Sequence, residues 1–224
     1  MRAPGRVLVS AHRCESLADI EAAIALGVDY VELDVFRRAD GSYVVDHDGL
    51  LPDPLAYDDA LAALAGRAKL HLDLKVVDRG PAVEASQRAV EVLGADAVLV
   101  TTLEDAEVRA VRDWSEAEGL DLLVGLSLGR SVRGMSFWRR TFVRTTELLP
   151  GLRYRVAGAN LVVANHWLAR FGVAAFARRT RRPLLVWTVD TEESLHHWLR
   201  PGRAWLVTTN EPGLALKVRA GFEG

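Results

Sequence analysis

The chain is poor in cysteine, in long apolar runs and in net charge. Cys14 is its single cysteine, so an internal disulfide framework is excluded. No run approaches the ~18 consecutive apolar residues of a membrane span, and the N-terminus, broken by Pro4, Gly5 and Arg6, does not read as a signal peptide. With 28 basic and 30 acidic residues, the formal net charge is −2, which gives no case for nucleic-acid binding. We expect a cytoplasmic protein with no transmembrane segment and no nucleic-acid partner.

What the chain does have is apolar content, 50% of 224 residues, which suits one domain with a sizeable core spanning 1–224. Nine apolar segments are typical of strands, and they begin near residues 7, 28, 43, 70, 97, 121, 161, 184 and 205. If the segment near 43 is only the return arm of a hairpin, eight remain, and seven of those precede a helical pattern. Strands that alternate with helices pair in parallel, and eight such units close a barrel. The sequence therefore predicts an α/β fold: a (β/α)8 TIM barrel with an extra β-hairpin after the second strand.

Acidic and apolar residues alternate in the predicted second strand, Val31 to Val35. Because side chains alternate between the two faces of a strand, Glu32 and Asp34 point the same way. Two carboxylates ~4 Å apart repel by about 4 kcal/mol at an effective dielectric constant near 20, so a proton or a cation must lie between them. Oxygen ligands suit a hard ion, and we expect one divalent cation, Mg²⁺ or Ca²⁺.

The turn sequence Asp40-Gly41 predicts a hairpin whose second arm leads to His47. Counting outward from the turn places His47 roughly opposite Glu32. A histidine beside a metal-binding carboxylate is a candidate acid or base. The alternative is a solvated hairpin with ordinary surface charges.

Further polar residues lie at the ends of other predicted strands. His12 and Arg13 follow the first strand, and Asp73 and Lys75 share one face of the strand near residue 70. Trp187 lies in an apolar strand, where it is either core or a flat wall for an alcohol group. In a barrel these strand ends converge on one mouth, where catalysis occurs. Each residue also has a structural alternative: His12 could be an ordinary hydrogen-bonded histidine, and Lys75 a surface partner of Asp73.

Seven short motifs, whose order and spacing run through nearly the whole chain, resemble those of the glycerophosphodiester phosphodiesterase family. They are His12-Arg13, Glu32-Leu33-Asp34-Val35, Asp40-Gly41, Val44-Val45-Asp46-His47-Asp48, Leu72-Asp73-Leu74-Lys75, Trp187-Thr188-Val189-Asp190 and Thr209-Asn210-Glu211-Pro212. The resemblance implies a (β/α)8 barrel that uses a divalent cation to hydrolyse glycerophosphodiesters to an alcohol and glycerol 3-phosphate. It implies metal ligands at Glu32, Asp34 and Asp73, an acid/base pair at His12 and His47, and phosphate contacts from Arg13 and Lys75.

The sequence departs from the family pattern at several motif positions. Cys14 replaces a glycine, the Pro-Glu-Asn-Thr stretch is missing, and Asp73 replaces the usual third acid, a glutamate. Asp190 stands where the family has asparagine, and Asn210 where it has aspartate. Since metal distances tolerate only about ±0.2 Å, the shorter Asp73 requires an ion nearer its strand or a bridging water. Cys14 beside Arg13 could have a lowered thiol pKa, although no base partner is apparent for a cysteine nucleophile.

Two other functions stay open. Asp73-X-Lys75 is similar to the sphingomyelinase D group, which favours a phospholipase D-like cleavage of lysophospholipid headgroups, with a lysolipid as the small-molecule substrate. The altered motifs favour a catalytically silent barrel that binds a phosphorylated ligand.

A basic segment, 128–155, contains seven arginines and one acid, Glu147, together with several aromatic residues. Because it follows a predicted strand, it should lie over the mouth of the barrel. It could cover a phosphate, make a peripheral contact with an anionic membrane, or form a solvated amphipathic helix.

Overall fold

The computed structural model describes residues 5–76, 78–129, 134, 136–148 and 150–223. In chain order, its strands and α-helices are β1 (Leu8–Ala11), α1 (Leu17–Leu26), β2 (Tyr30–Arg37), β3 (Tyr43–Val45), β4 (Leu55–Ala56), α2 (Tyr57–Leu64), β5 (Lys69–Leu74), α3 (Arg79–Leu93), β6 (Val98–Thr102), α4 (Asp105–Ala117), β7 (Leu123–Leu128), α5 (Phe137–Leu148), α6 (Gly151–Ala157), β8 (Leu161–Asn165), α7 (His166–Leu168), α8 (Ala174–Thr180), β9 (Leu184–Trp187), α9 (Glu192–Trp198), β10 (Leu206–Thr209) and α10 (Pro212–Ala220). A 3₁₀ turn covers Ala95–Ala97, and a π-helical segment covers Ala169–Val173.

Eight of these strands form a closed parallel barrel. The order around it is β1, β2, β5, β6, β7, β8, β9, β10, and the pairing of β10 with β1 closes the ring. The other two strands, β3 and β4, extend β2 in antiparallel fashion at the mouth. The predicted (β/α)8 barrel with a hairpin after the second strand is therefore confirmed, with β4 as an unpredicted third arm.

Apolar residues form two separate clusters because side chains alternate along each strand. The larger cluster lies between the barrel and the helices and includes Val31, Leu33 and Leu72. The smaller one fills the barrel interior with Tyr30, Leu99 and other residues of the opposite face. Glu32, Asp34 and Asp73 alternate with the first set, so they project inward above the smaller cluster.

Local sequence explains both ends of α1. Ser16 caps α1 in a capping box with Asp19, and Gly27 ends it with φ +77°, in the left-handed region that favours glycine. Before α4, which begins at Asp105, the Thr102 hydroxyl accepts the Glu104 N–H at 3.3 Å.

The helical stretch after β8 is not continuous. The π-helical segment separates α7 from α8, with Gly172 at φ +137°. Among the described residues, no helix combines the length and the apolar character needed to span a bilayer.

Candidate active site

Three acidic side chains meet at the carboxyl ends of β2 and β5. The two strands pair in parallel with Asp34 opposite Asp73 and Glu32 opposite His71. Glu32, Asp34 and Asp73 each offer a carboxylate oxygen, and these oxygens lie within 4.8 Å of one another. Glu32 and Asp34 are almost fully buried, at 2% and 1% exposure. The predicted acidic cluster is thus assembled by strand register.

Burial makes this concentration of negative charge costly. Desolvation, followed by the charges of Asp34 and Asp73, raises the pKa of Glu32 well above its usual value. Desolvation also raises the pKa of Asp73, against the opposing effect of the Lys75 ammonium. Desolvation acts in the same direction on Asp34, but its hydrogen bond with His47 and the charge of Lys75 outweigh it and hold the pKa of Asp34 well below its ordinary value.

Lys75 supplies the nearest positive charge to these acids. Its Nζ lies 2.5 Å from Asp73 Oδ2 and 3.0 Å from Asp34 Oδ1. Burial opposes its charged form, yet the two carboxylates raise the pKa of Lys75. Asp34 Oδ1 is buried and accepts no well-aligned hydrogen bond within the described residues, the Lys75 contact being an ion pair only.

These features fit a hard divalent cation. The donor set consists of carboxylate oxygens alone, the ligand type that Mg²⁺ and Ca²⁺ prefer. Asp34 Oδ1, which faces the Lys75 ammonium at 3.0 Å, is a carboxylate oxygen beside the other two acids. An ion held by Glu32, Asp34 and Asp73 would replace the partial neutralisation that Lys75 now provides.

Arg13 connects the end of β1 to the acids. Its backbone adopts the left-handed region at φ +55°, unusual for a non-glycine residue, and its N–H donates to Glu32 Oε2 at 2.5 Å. Its guanidinium Nε lies 3.8 Å from Asp34 Oδ2, and its side chain is 44% exposed. Arg13 therefore keeps a charged group at the solvent side of the cluster.

His47 contacts Asp34 and not Glu32, so the predicted register is wrong. Val45 pairs with Val35, and the Asp46 N–H donates to the Asp34 carbonyl, so the strand ends before His47. His47 Nδ1 lies 2.7 Å from Asp34 Oδ2. Because a carboxylate only accepts, Nδ1 carries the hydrogen. Asp46 holds the following turn through the Asp48, Gly49 and Leu51 N–H groups.

His12 lies across the mouth at the end of β1. Its backbone N–H donates to the Thr209 carbonyl, and its ring Nδ1 lies 2.8 Å from Asn210 Oδ1. Burial lowers the pKa of His12, against the hydrogen bond that its ring donates to Asn210 and the charge of Asp34, which raise it. At neutral pH the ring is therefore predominantly neutral.

A series of buried hydrogen bonds connects Asp73, through Thr101 and His71, to Ser10. The Thr101 hydroxyl donates to Asp73 Oδ1 at 2.6 Å, so its oxygen accepts from His71 Nε2 at 3.0 Å. His71 Nδ1 then accepts from the Ser10 hydroxyl at 3.3 Å. Burial lowers the pKa of His71 to about 3, so the ring stays neutral.

Sequence reasoning missed Ser10 and Thr101 because both lie in short apolar strands. Their place on the inward face, in line with His71, is the signal that could have found them. It also missed Glu15, whose Oε1 accepts the His47 N–H at 3.3 Å.

Trp187 ends β9 at the same end of the barrel. It is half-buried and packs on the interior cluster, and a Cβ on Gly129 would lie 3.4 Å from its Cζ2. Its packing on the interior cluster supports the core alternative, and its role as a wall for an alcohol group stays a prediction.

The expectation that Cys14 could have a lowered thiol pKa is wrong. The side chain is buried, and desolvation together with the charge of Glu32 raises the pKa of Cys14 to about 12. Cys14 belongs to the core cluster between the barrel and the helices.

Part of the basic segment, 130–133, 135 and 149, lies outside the described residues. In the described part, Glu147 is buried, accepts the Gly129 N–H at 2.8 Å and pairs with Arg144 at 2.6 Å. Arg153 pairs with Asp105. The one acid of the segment thus anchors α5 to the end of β7.

Neither protein-family models nor curated proteins match this chain. Solved structures do match. A glycerophosphodiester phosphodiesterase from Parabacteroides distasonis has a TM-score of 0.78 at 15% identity, over 97% of this chain and 98% of that chain. One from Agrobacterium tumefaciens has a TM-score of 0.72 at 16% identity, over 96% and 100%.

A phosphodiesterase from Oleispira antarctica, in complex with the product sn-glycerol-3-phosphate, has a TM-score of 0.68 at 16% identity, over 98% of both chains. The likeness shows that this chain has the (β/α)8 barrel fold of these phosphodiesterases over nearly its whole length.

Proposed function

We propose that the protein is a metal-dependent phosphodiesterase that hydrolyses glycerophosphodiesters to an alcohol and glycerol 3-phosphate. The observation that carries the proposal is the convergence of three acids and two histidines at one mouth of the barrel. The fold supports it, because the similar structures include glycerophosphodiester phosphodiesterases and one complex with sn-glycerol-3-phosphate.

The charges of the site suit a phosphodiester. One divalent cation, Mg²⁺ or Ca²⁺, held by Glu32, Asp34 and Asp73, would offset the charge on the non-bridging oxygens. Arg13 presents a planar donor group that can grip two of these oxygens, and Lys75 adds a point charge. Trp187 would offer a flat apolar face to the alcohol or the glycerol.

The two histidines receive different roles in this proposal. His12 donates through Nδ1 to Asn210, so Nε2 keeps its lone pair and accepts a proton from water or from a substrate hydroxyl. The His47 ring lies between two carboxylates. Its Nδ1 is 2.7 Å from Asp34 Oδ2, and its Nε2 is 3.7 Å from Asp48 Oδ1. It acts as the acid that protonates the leaving alkoxide.

The decisive test uses His12→Ala and His47→Ala with two substrates, glycerophosphocholine and a glycerophosphodiester of p-nitrophenol. Both variants should lose about 10²–10⁴-fold in turnover of the first. p-Nitrophenolate leaves without a proton, so His47→Ala should recover on the second substrate while His12→Ala should not.

His196→Ala is the matched control, because His196 is exposed on α9 and should leave turnover unchanged. Near wild-type turnover by both His12→Ala and His47→Ala would remove the assignment.

A second candidate is phospholipase D-like cleavage of a lysophospholipid headgroup, with attack by a substrate hydroxyl. The ion pair of Lys75 with Asp73 supports it, since this pair is the part of the site that is similar to the sphingomyelinase D group. Phosphorus NMR of the products decides between them: glycerol 3-phosphate supports hydrolysis, and a cyclic phosphate supports the second candidate. A catalytically silent barrel would bind the ligand and yield neither product.

Peripheral membrane contact through 128–155 stays a prediction. The exposed Trp138 and Leu152 support it, at 80% and 71% exposure, whereas the ion pairs of Arg144 and Arg153 use part of the basic charge internally. Co-sedimentation with anionic liposomes, compared between the wild type and Trp138→Ser, tests it. Absence of binding at low salt would rule it out.

A further inference from the structure

A chain of hydrogen bonds runs from the rim of the barrel to His12. Asp190, which follows β9, accepts from Asn210 Nδ2 at 2.8 Å through Oδ2. Asn210, which follows β10, in turn offers Oδ1 to His12 Nδ1 at 2.8 Å. Asp190 Oδ1 also accepts from the Asn210 backbone N–H at 2.9 Å and from the Thr209 hydroxyl at 3.2 Å. Both carboxylate oxygens of Asp190 thus accept hydrogen bonds from Thr209 and Asn210, at the end of β10 next to His12.

The chemistry of the donors gives this chain a direction. An ionised aspartate only accepts, so the Asn210 amide must turn its NH₂ group toward Asp190. Its carbonyl oxygen, which also only accepts, is then left facing His12. The His12 Nδ1 must therefore carry a hydrogen, and Nε2 is the bare nitrogen.

We propose that Asp190 and Asn210 are positioning residues that fix His12 as its Nδ1–H tautomer, with Asp190 setting the orientation of the Asn210 amide. The value of this tautomer for catalysis rests on the proposed function, since a base needs a bare Nε2. The tautomer itself depends only on the geometry of the three side chains.

Replacing one partner should reverse the arrangement. In Asp190→Asn, the amide oxygen at position 190 still accepts from the Asn210 backbone N–H and from the Thr209 hydroxyl. The NH₂ group at position 190 therefore faces the side-chain NH₂ group of Asn210. Two donors cannot pair, and Asn210 relieves the conflict by rotating its amide. Its NH₂ group then faces His12 Nδ1, which must become the acceptor, and the hydrogen moves to Nε2. In Asn210→Asp, two carboxylates face each other instead.

Exchanging the two residues should restore the original pattern. In Asp190→Asn with Asn210→Asp, the amide oxygen at 190 still accepts from the Thr209 hydroxyl and the backbone N–H of residue 210. Its NH₂ group donates to the carboxylate at 210, whose other oxygen accepts from His12 Nδ1. Each donor again meets an acceptor.

The experiment is nitrogen NMR of protein labelled with ¹⁵N-histidine, at a pH where His12 is neutral, combined with turnover of glycerophosphocholine. The resonances lost in His12→Gln identify His12. The wild type should show a protonated Nδ1 and a bare Nε2, and Asp190→Asn should show the reverse. Turnover should fall by about 10-fold or more in Asp190→Asn, within the range that general acid–base catalysis contributes, and recover in the double exchange.

Asp113→Asn, on the outer face of α4 where Asp113 pairs with Arg109, is the matched control and should change neither readout. Unchanged His47 resonances in each variant show that the mouth has kept its fold.

The proposal is overturned if His12 keeps the Nδ1–H tautomer in Asp190→Asn, or if the double exchange leaves His12 in the reversed tautomer. If the tautomers change as expected but the wild type does not turn over glycerophosphodiesters, the proposed function fails and the positioning role stands.

Discussion

Single side chains at the mouth show how the site balances its charges. Asp34 contacts His47 and Lys75 closely and lies near Arg13, so three positively charged or hydrogen-donating side chains surround this carboxylate. Within the described part of the chain, the Glu32 carboxylate accepts one hydrogen bond, from the Arg13 N–H, and burial together with the charges of Asp34 and Asp73 raises its pKa. Such opposed shifts in neighbouring acids are typical of functional sites.

The pH dependence of turnover should reflect His12. A base works in its neutral form, which exists above its pKa, and burial lowers the pKa of His12 below the ordinary value of 6.5. We therefore expect the midpoint of the acid limb of kcat/KM to lie below pH 6.5, since His12 is half protonated only below that pH. A pH profile of kcat/KM for glycerophosphocholine measures it. An acid limb above that value would contradict the assignment of His12 as the base.

Thr101 should control how tightly the acids bind a cation. Thr101→Val keeps the shape but removes the hydroxyl that donates to Asp73 and accepts from His71. Loss of such an outer partner typically lowers metal affinity by about 10–100-fold. Calorimetric titration with Mg²⁺, Ca²⁺ and Mn²⁺ measures it, and Thr101→Ser, which retains the hydroxyl, should bind almost as the wild type does. Equal affinity in Thr101→Val and Thr101→Ser would contradict the role.

Among elements, the pairing of β2 with β5 does most to build the site. Six consecutive residue pairs, from Tyr30 with Lys69 to Val35 with Leu74, lock the register, so Asp34 and Asp73 come level. A slip by one residue would turn the acids of one strand toward the helices. The hairpin arm β3 then brings His47 to Asp34 from outside the barrel.

Strand β7 contributes space for the barrel interior through Gly125. A Cβ at this position would lie 2.4 Å from Val163 Cγ2 and 3.2 Å from Leu161 Cδ2. Because valine is stiff at χ1, Gly125→Ala should lower the free energy of unfolding by about 1–3 kcal/mol. Urea denaturation measures it.

Gly213→Ala on α10 is the control, since a Cβ there meets nothing within 4 Å. It should be neutral or stabilising by up to about 1 kcal/mol. If Gly125→Ala unfolds at the same urea concentration as the wild type, the barrel interior can accept the added methyl group and the prediction is wrong.

At the scale of the whole molecule, the barrel and most of its site could be predicted because their signals are periodic and local. The alternation of Glu32 and Asp34 with valine and leucine indicated both their strand and their shared face. Because they lie at strand ends, the residues that were expected at one mouth of the barrel are His12, Arg13, Asp73 and Lys75. The structure brings them together there.

What could not be predicted depends on contacts between distant parts of the chain. The partner of His47 follows from the end of β3 before Asp46, and the environment of Cys14 follows from helices packed over it. Asp190 and Asn210 looked like two unrelated departures from a family pattern, yet they hydrogen-bond to each other across neighbouring strands. The cytoplasmic location stays a prediction.

The central claim, that three acids hold one cation between two histidines, is tested most directly by a crystal structure of the protein soaked with Mn²⁺ and glycerol 3-phosphate. We predict one anomalous peak bonded to oxygens of Glu32, Asp34 and Asp73, with the phosphate between His12 and His47. A peak elsewhere, or a phosphate bound away from both imidazoles, would contradict the account.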